Sequence, residues 1–145
     1  MQISTYSSFD KFLRIEIRLQ DKEIHILLED QQKINQFARL NNRLEELKDD
    51  IKAKKGQITT LDDADTDLMM IEDDEEKVQY QIGEIFISMS QDDVREALEK
   101  DKETLQGEVE KLEEKSGEIK SQMSDLKTHL YAKFGNAINL EADED

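Results

Sequence analysis

Between residues 29 and 71, apolar side chains return at steps of three and four. Phe37, Leu44, Ile51 and Ile58 fall seven apart, and Leu40, Leu47, Leu61 and Leu68 share a companion register that Lys54 interrupts. That alternation is a coiled-coil seam, because a slightly under-wound helix keeps those positions on one side. The seam weakens where Asp65 takes the next place of the first register. A second seam spans residues 92–134, with Leu98, Leu105, Leu112, Ile119 and Leu126 in one register. Val109, Ser116, Met123 and Leu130 form its companion, preceded by Lys102. Each predicted helix is about 60 Å long at the usual rise per residue. Ser90 with Asp93 three residues on suits a helix start, and Gly135 suits a left-handed helix end.

The period changes over residues 78–89, which are rich in β-branched and aromatic side chains. Gly83-Glu84 lies at the centre of that stretch, and glycine at the first turn position is what a type II′ hairpin requires. The order is therefore helix, β-hairpin, helix. Two seams of matching length joined by a compact reversal fold back most simply on each other. The predicted fold is mainly α, an antiparallel two-helix coiled coil with one central β-hairpin. Two short strands alone are marginally stable in water. Val78, Tyr80, Ile82, Ile85 and Ile87 share one alternation and Phe86 falls on the other. The flanking seams cover one face at most, so the hairpin is expected to be completed by other chains. The plainer alternative is a hairpin that only caps its own coiled coil.

Antiparallel helices bring the start of the first beside the end of the second. Ile34, Phe37 and Leu40 then lie near Leu130, Tyr131, Phe134, Ile138 and Leu140, a concentration of aromatics in a chain with few. Apolar groups at a coil end fray more readily than those in its middle. They are expected both to close the coil and to offer a grip on exposed apolar segments of unfolded proteins. Residues 1–29 read differently. Leu13, Ile15, Ile17 and Leu19 alternate with Arg14, Glu16 and Arg18, and Ile24, Ile26 and Leu28 repeat the alternation. This region is expected to be a mobile extension, or a strand or helix that borrows order from a neighbour.

Composition narrows the function. Charged residues make up 39% of the 145 and aromatics 6%, with no proline, which suits long helices better than a globular core. The net charge of -16 argues against nucleic acid and anionic membranes and favours basic or unfolded partners. No cysteine is present, so thiolate chemistry and disulfides are excluded. No apolar run is long enough to span a membrane. Asp63, Asp65, Asp67 and Asp74 loosely echo a calcium loop, but Leu68 stands where the sharp-turn glycine belongs. A solvated acidic stretch is the expectation there. His25 and His129 have no partners for metal binding or general-base work, and no phosphate loop occurs among the glycines. The chain is expected to be no enzyme, to need no cofactor or metal, and to be cytoplasmic.

Three segments carry a family resemblance. Glu29-Asp30-Gln31-Gln32-Lys33-Ile34-Asn35-Gln36-Phe37-Ala38-Arg39 resembles the opening of the first helix in β-class prefoldin subunits. Tyr80-Gln81-Ile82-Gly83-Glu84-Ile85-Phe86-Ile87-Ser88 is similar to the hairpin shared by that class. Leu130-Tyr131-Ala132-Lys133-Phe134-Gly135, followed by Ile138-Asn139-Leu140-Glu141-Ala142-Asp143, looks like the C-terminal signature of one branch of it. The resemblance covers residues 23–143 and implies a hetero-hexamer of two α-class and four β-class subunits. In that family a double β-barrel of hairpins carries six coiled coils. Their tips hold nascent actin and tubulin without ATP and pass them to the cytosolic chaperonin. Carried over, Val78, Tyr80, Ile82, Gly83, Ile85, Phe86 and Ile87 would build the barrel. Ile34, Phe37, Leu40, Leu130, Tyr131, Phe134, Ile138 and Leu140 would face clients or the chaperonin. The implied partners are two α-class and three further β-class subunits. Residues 1–22 would be an extension, 23–140 the subunit domain and 141–145 an acidic tail. A structural coiled-coil scaffold or tether is the rival reading, which the central hairpin disfavours.

Overall fold

The computed structural model describes residues 28–73 and 75–140, apart from the side chain of residue 136, together with the backbone of Glu16 and Ile17. The acidic tail, Asp74, His25 and most of the proposed extension lie outside the described residues. In chain order the elements are β1 (Glu16–Ile17), α1 (Leu28–Met69), β2 (Val78–Ile82), β3 (Ile85–Met89), α2 (Gln91–Phe134), a 3-10 turn (Gly135–Ala137) and β4 (Ile138–Asn139). The two helices and the hairpin match the sequence expectation to within two residues at each end.

Local chemistry explains the boundaries. Helix α1 opens with Glu29 and Asp30, acids that suit the positive end of a helix dipole. The Ser90 hydroxyl accepts the Asp93 N–H at 3.2 Å, satisfying one of the orphan donors at the start of α2. Gly135, with φ at 55°, supplies the left-handed residue that ends α2. At the hairpin, Gly83 has φ of 61° and Glu84 has no positive φ. That is the sign pattern of a type II′ turn, whose twist matches the strands it joins.

The chain forms two compact units. One comprises residues up to Lys48 together with those from Glu114, and the other is Asp49–Glu113. We call them the terminal unit and the hairpin unit. In the hairpin unit, Lys54 pairs with Glu108 at 2.7 Å, Lys55 with Glu113 at 2.9 Å and Lys102 with Asp62 at 2.6 Å. In the terminal unit, Lys33 meets His129 at 2.9 Å, and Asp30 is bonded to Lys133. In each unit, then, residues later in α1 meet residues earlier in α2, which is antiparallel pairing.

Burial follows the seams with one local change. Leu44, Leu47, Leu68, Leu98, Val109, Ser116 and Leu130 are buried as the registers predict. The seam reaches further at both helix starts, to Ile34 and Val94. Asn41 is buried too, while Leu40 is half-buried beside it. The seven-residue count from Leu47 points to Leu40, but the buried steps run Ile34, Phe37, Asn41, Leu44. Lys54 and Lys102, which interrupt the apolar registers, stay on the seam. Both side chains are largely covered, and their ammonium groups reach acids on the other helix. For Lys102 the bond to Asp62 raises the pKa, opposed by burial and helped by nearby Glu99 and Asp65.

Candidate functional site

Two places gather the residues singled out in the sequence, and the hairpin is the first. Strands β2 and β3 pair antiparallel with Val78 opposite Met89, Tyr80 opposite Ile87, and Ile82 opposite Ile85. Directly opposed residues share a face. One face therefore carries Val78, Tyr80, Ile82, Ile85, Ile87 and Met89. The other carries Gln79, Gln81, Phe86 and Ser88. The root of the apolar face is covered, since Val78, Tyr80 and Met89 pack on a buried group of Leu68, Val94 and Leu98. Farther out, none of the described residues covers it. Ile82 is 55% exposed, Ile85 65% and Ile87 42%, and Phe86 on the second face is 63% exposed. Among the described residues this sheet has only its two strands, so each also presents an edge.

A hydrogen bond joins the root to the second helix. The Tyr80 hydroxyl donates to Asp101 Oδ2 at 2.6 Å, tying β2 to α2. That bond raises the phenol pKa above its ordinary value of 10.0, and burial and the Asp101 charge act in the same direction. Because the folded-state value is the higher one, the native state keeps the proton longer than the unfolded chain. The contribution is complete below the unfolded value and fades as pH rises through the folded one. Tyr80→Phe is expected to cost about 1 kcal/mol at pH 8. The deficit should shrink in urea unfolding repeated above pH 10.5, roughly half a unit past the free phenol; a pH-independent deficit would remove Asp101 from the account. Nearby, the buried amide of Gln91 donates to the carbonyls of Asp73 at 2.6 Å and Glu76 at 3.3 Å. It thereby fixes the acidic link onto the start of α2. No pattern in the sequence pointed to Gln91 or Asp101; their value depends on which loop and strand reach them.

The second place is the apolar cluster of the terminal unit. Ile34, Phe37, Ala38, Leu130, Phe134, Ile138 and Leu140 are all buried together, with Met123, Leu126, Tyr131 and Ala137 packed against them. Seven of the eight predicted residues are thus brought together. Leu40 stands apart from the cluster, on the flank of the seam. Polar bonds brace the group. The buried Asp30 carboxylate accepts from Lys133, whose ammonium also lies 5.8 Å from the Phe134 ring centroid. The Leu140 N–H donates to the Tyr131 hydroxyl at 3.2 Å. Here β4 pairs antiparallel with β1, Glu16 opposite Asn139 and Ile17 opposite Ile138. That fits the strand that borrows order from a neighbour, for residues 16 and 17.

Among the described residues, no group of three or more His, Cys, Asp or Glu is placed to hold a metal ion. No described helix is long and apolar enough to cross a membrane. Comparison with known proteins supplies the decisive observation: the sequence pattern of the family described as "Prefoldin subunit" matches residues 31–137. The chain belongs to the prefoldin subunit family. "Prefoldin subunit 4" of Homo sapiens is 49% identical over 123 residues, covering 85% of this chain and 92% of that one, and the Bos taurus protein of that name matches equally. The Saccharomyces cerevisiae "Prefoldin subunit 4" is 41% identical over 122 residues, covering 84% of this chain and 94% of its own. In fold, a crystal structure of the prefoldin beta subunit from Thermococcus strain KS-1 superposes with a TM-score of 0.69. It is 15% identical, with 77% of this chain and 97% of that chain covered. As a prefoldin subunit the chain is a chaperone component that associates with other prefoldin subunits. The expected β-class architecture, two long helices around one antiparallel hairpin, is the one observed.

Proposed function

We propose that this chain is one of four β-class subunits in a cytoplasmic hetero-hexamer with two α-class subunits, a holdase that works without ATP. The observation that carries this reading is the uncovered outer half of the hairpin. An apolar face bearing Ile82, Ile85 and Ile87, with open strand edges beside it, is unfavourable in water and suited to strand pairing with sister chains. Residues 23–140 are the assembling unit in this reading, and no residue performs chemistry. Clients are unfolded chains, actin and tubulin among them, which pass to the cytosolic chaperonin by competition. Ile34, Phe37, Leu40, Leu130, Tyr131, Phe134, Ile138 and Leu140 serve client binding. Leu40 and Tyr131 keep part of their surface open, while the six buried residues become available when the terminal cluster opens locally. Several weak contacts of this kind retain a client through effective concentration.

Light scattering tests the assembly. The chain mixed with α- and β-class partners should form a hexamer, and that hexamer should suppress aggregation of actin diluted from denaturant without nucleotide. A well-folded monomer indifferent to those partners would end the proposal.

A further inference from the structure

Along α1, the first buried side chain after Ala38 of the terminal cluster is Asn41. Back along α2 from Leu130, it is Ser116. On both helices, then, the buried apolar run of the cluster stops at a polar residue. Leu44 and Leu47 are buried just beyond Asn41 and belong to neither of the two apolar groups. Asn41 is 6% exposed, and no described residue accepts a hydrogen bond from its amide nitrogen Nδ2. The buried Oδ1 of Asn42, one residue on, likewise receives none. Buried polar groups are satisfied in the great majority of cases, so neighbouring orphans need a reason. From this we infer that Asn41 is the release point of the terminal cluster: the cluster opens as one unit as far as this layer, and the orphan amide sets how often it does so.

Opening lets water satisfy both amides, which offsets part of the apolar burial lost from Ile34, Phe37, Leu130 and Phe134. A leucine at position 41 has no such gain and joins Ala38 to Leu44 in one apolar run. A buried polar group without a partner costs enough to change an equilibrium by about tenfold. Opening beyond the layer is opposed, because Leu44 and Leu47 then lose their cover. The described polar bonds between the helices of this unit, Asp30 with Lys133 and Lys33 with His129, lie on the cluster side of Asn41. They break with the cluster, and none of them ties the Asn41 layer itself. The inference rests on the holding function proposed above and adds what controls access to its apolar residues. Apparent affinity is reduced by the fraction of molecules competent to bind, so closing the layer weakens holding by the same factor.

Hydrogen exchange of the full-length chain reads the release point directly. In the natural chain, the amides of residues 33–40 should share one rate, at least about tenfold faster than those of residues 44–48. Asn41→Leu should slow residues 33–40 and 126–134 by about tenfold and leave the hairpin unit unchanged. A smooth gradient of rates along α1 in the natural chain, or unchanged rates in the variant, would overturn the inference. The step in the natural chain is read without any substitution, so it decides the question even if the variant fails to fold. Assembled with its partner subunits, the Asn41→Leu chain should need about tenfold more hexamer to suppress half of actin aggregation. Slowed exchange with unchanged suppression removes the role in client access. If the natural hexamer itself suppresses nothing, it is the holding function that fails, and the exchange rates alone still decide the release point.

Discussion

Ile82→Ser combined with Ile85→Ser is expected to leave a folded chain that no longer assembles. The two isoleucines face each other across the hairpin and are 55% and 65% exposed in the free chain. Their loss therefore removes little packing from the monomer, and its unfolding midpoint should move by less than about 1 kcal/mol in stability. In an assembly completed by sister strands both side chains become buried. Only the exposed half to two-thirds of each side chain is newly covered, which contributes roughly 1–2 kcal/mol apiece. The pair together should weaken association at least about thirtyfold. Light scattering of the variant with its partners reads the assembly, and urea unfolding of the variant alone reads the fold. Serine keeps both residues neutral, so repulsion across the turn cannot mimic the effect. Assembly at the natural concentration dependence would show that the outer hairpin is not the contact.

Leu130→Ala should have the opposite signature, a large loss of stability at a site that no neighbour needs to cover. Leu130 is fully buried among Ile34, Phe37 and Phe134 in the terminal cluster. Truncating such a leucine costs about 2–5 kcal/mol, from lost transfer energy and from the cavity left behind. That is a large fraction of the roughly 5–15 kcal/mol by which domains are stable. Leu40→Ala, on the half-buried flank, should cost less than half as much. Hydrogen exchange adds location: in Leu130→Ala, protection should fall first over residues 30–38 and 126–138, while the hairpin unit keeps its own. Equal costs for the two leucines would mean that the cluster contributes nothing special. The comparison also bears on the client holding proposed above, because a loosened cluster exposes apolar groups that the natural chain keeps covered.

Much of this architecture could be read from short-range pattern. The steps of three and four from Phe37 to Leu68 and from Leu98 to Leu130 mark two helices with one apolar side each. Gly83 announced the turn because only glycine adopts a positive φ there without strain, and Gly135 did the same for the end of α2. Even the division of the hairpin faces followed from parity, with Phe86 opposite to Ile85 and Ile87. The candidate residues at the terminal cluster came from a single further assumption, that the helices are antiparallel. The antiparallel pairing is observed; the seven-residue count is what differs, by one position at Leu40, because it does not register where Asn41 turns inward.

What the amino-acid order determined by itself was the helical or extended state of each stretch, and which side of it is apolar. These properties depend on residues within a turn or two of each other. Tertiary structure decided the rest: that Asp30 meets Lys133 across 103 positions, that Gln91 secures the acidic link, and that β1 lies along β4. It also decided which apolar groups are spent inside. Val78 is alike in pattern to Ile82 and Ile85, yet Val78 packs on Leu68, Val94 and Leu98 while the two isoleucines are exposed. Burial depends on what the rest of the chain places nearby, and periodicity carries no record of that distance.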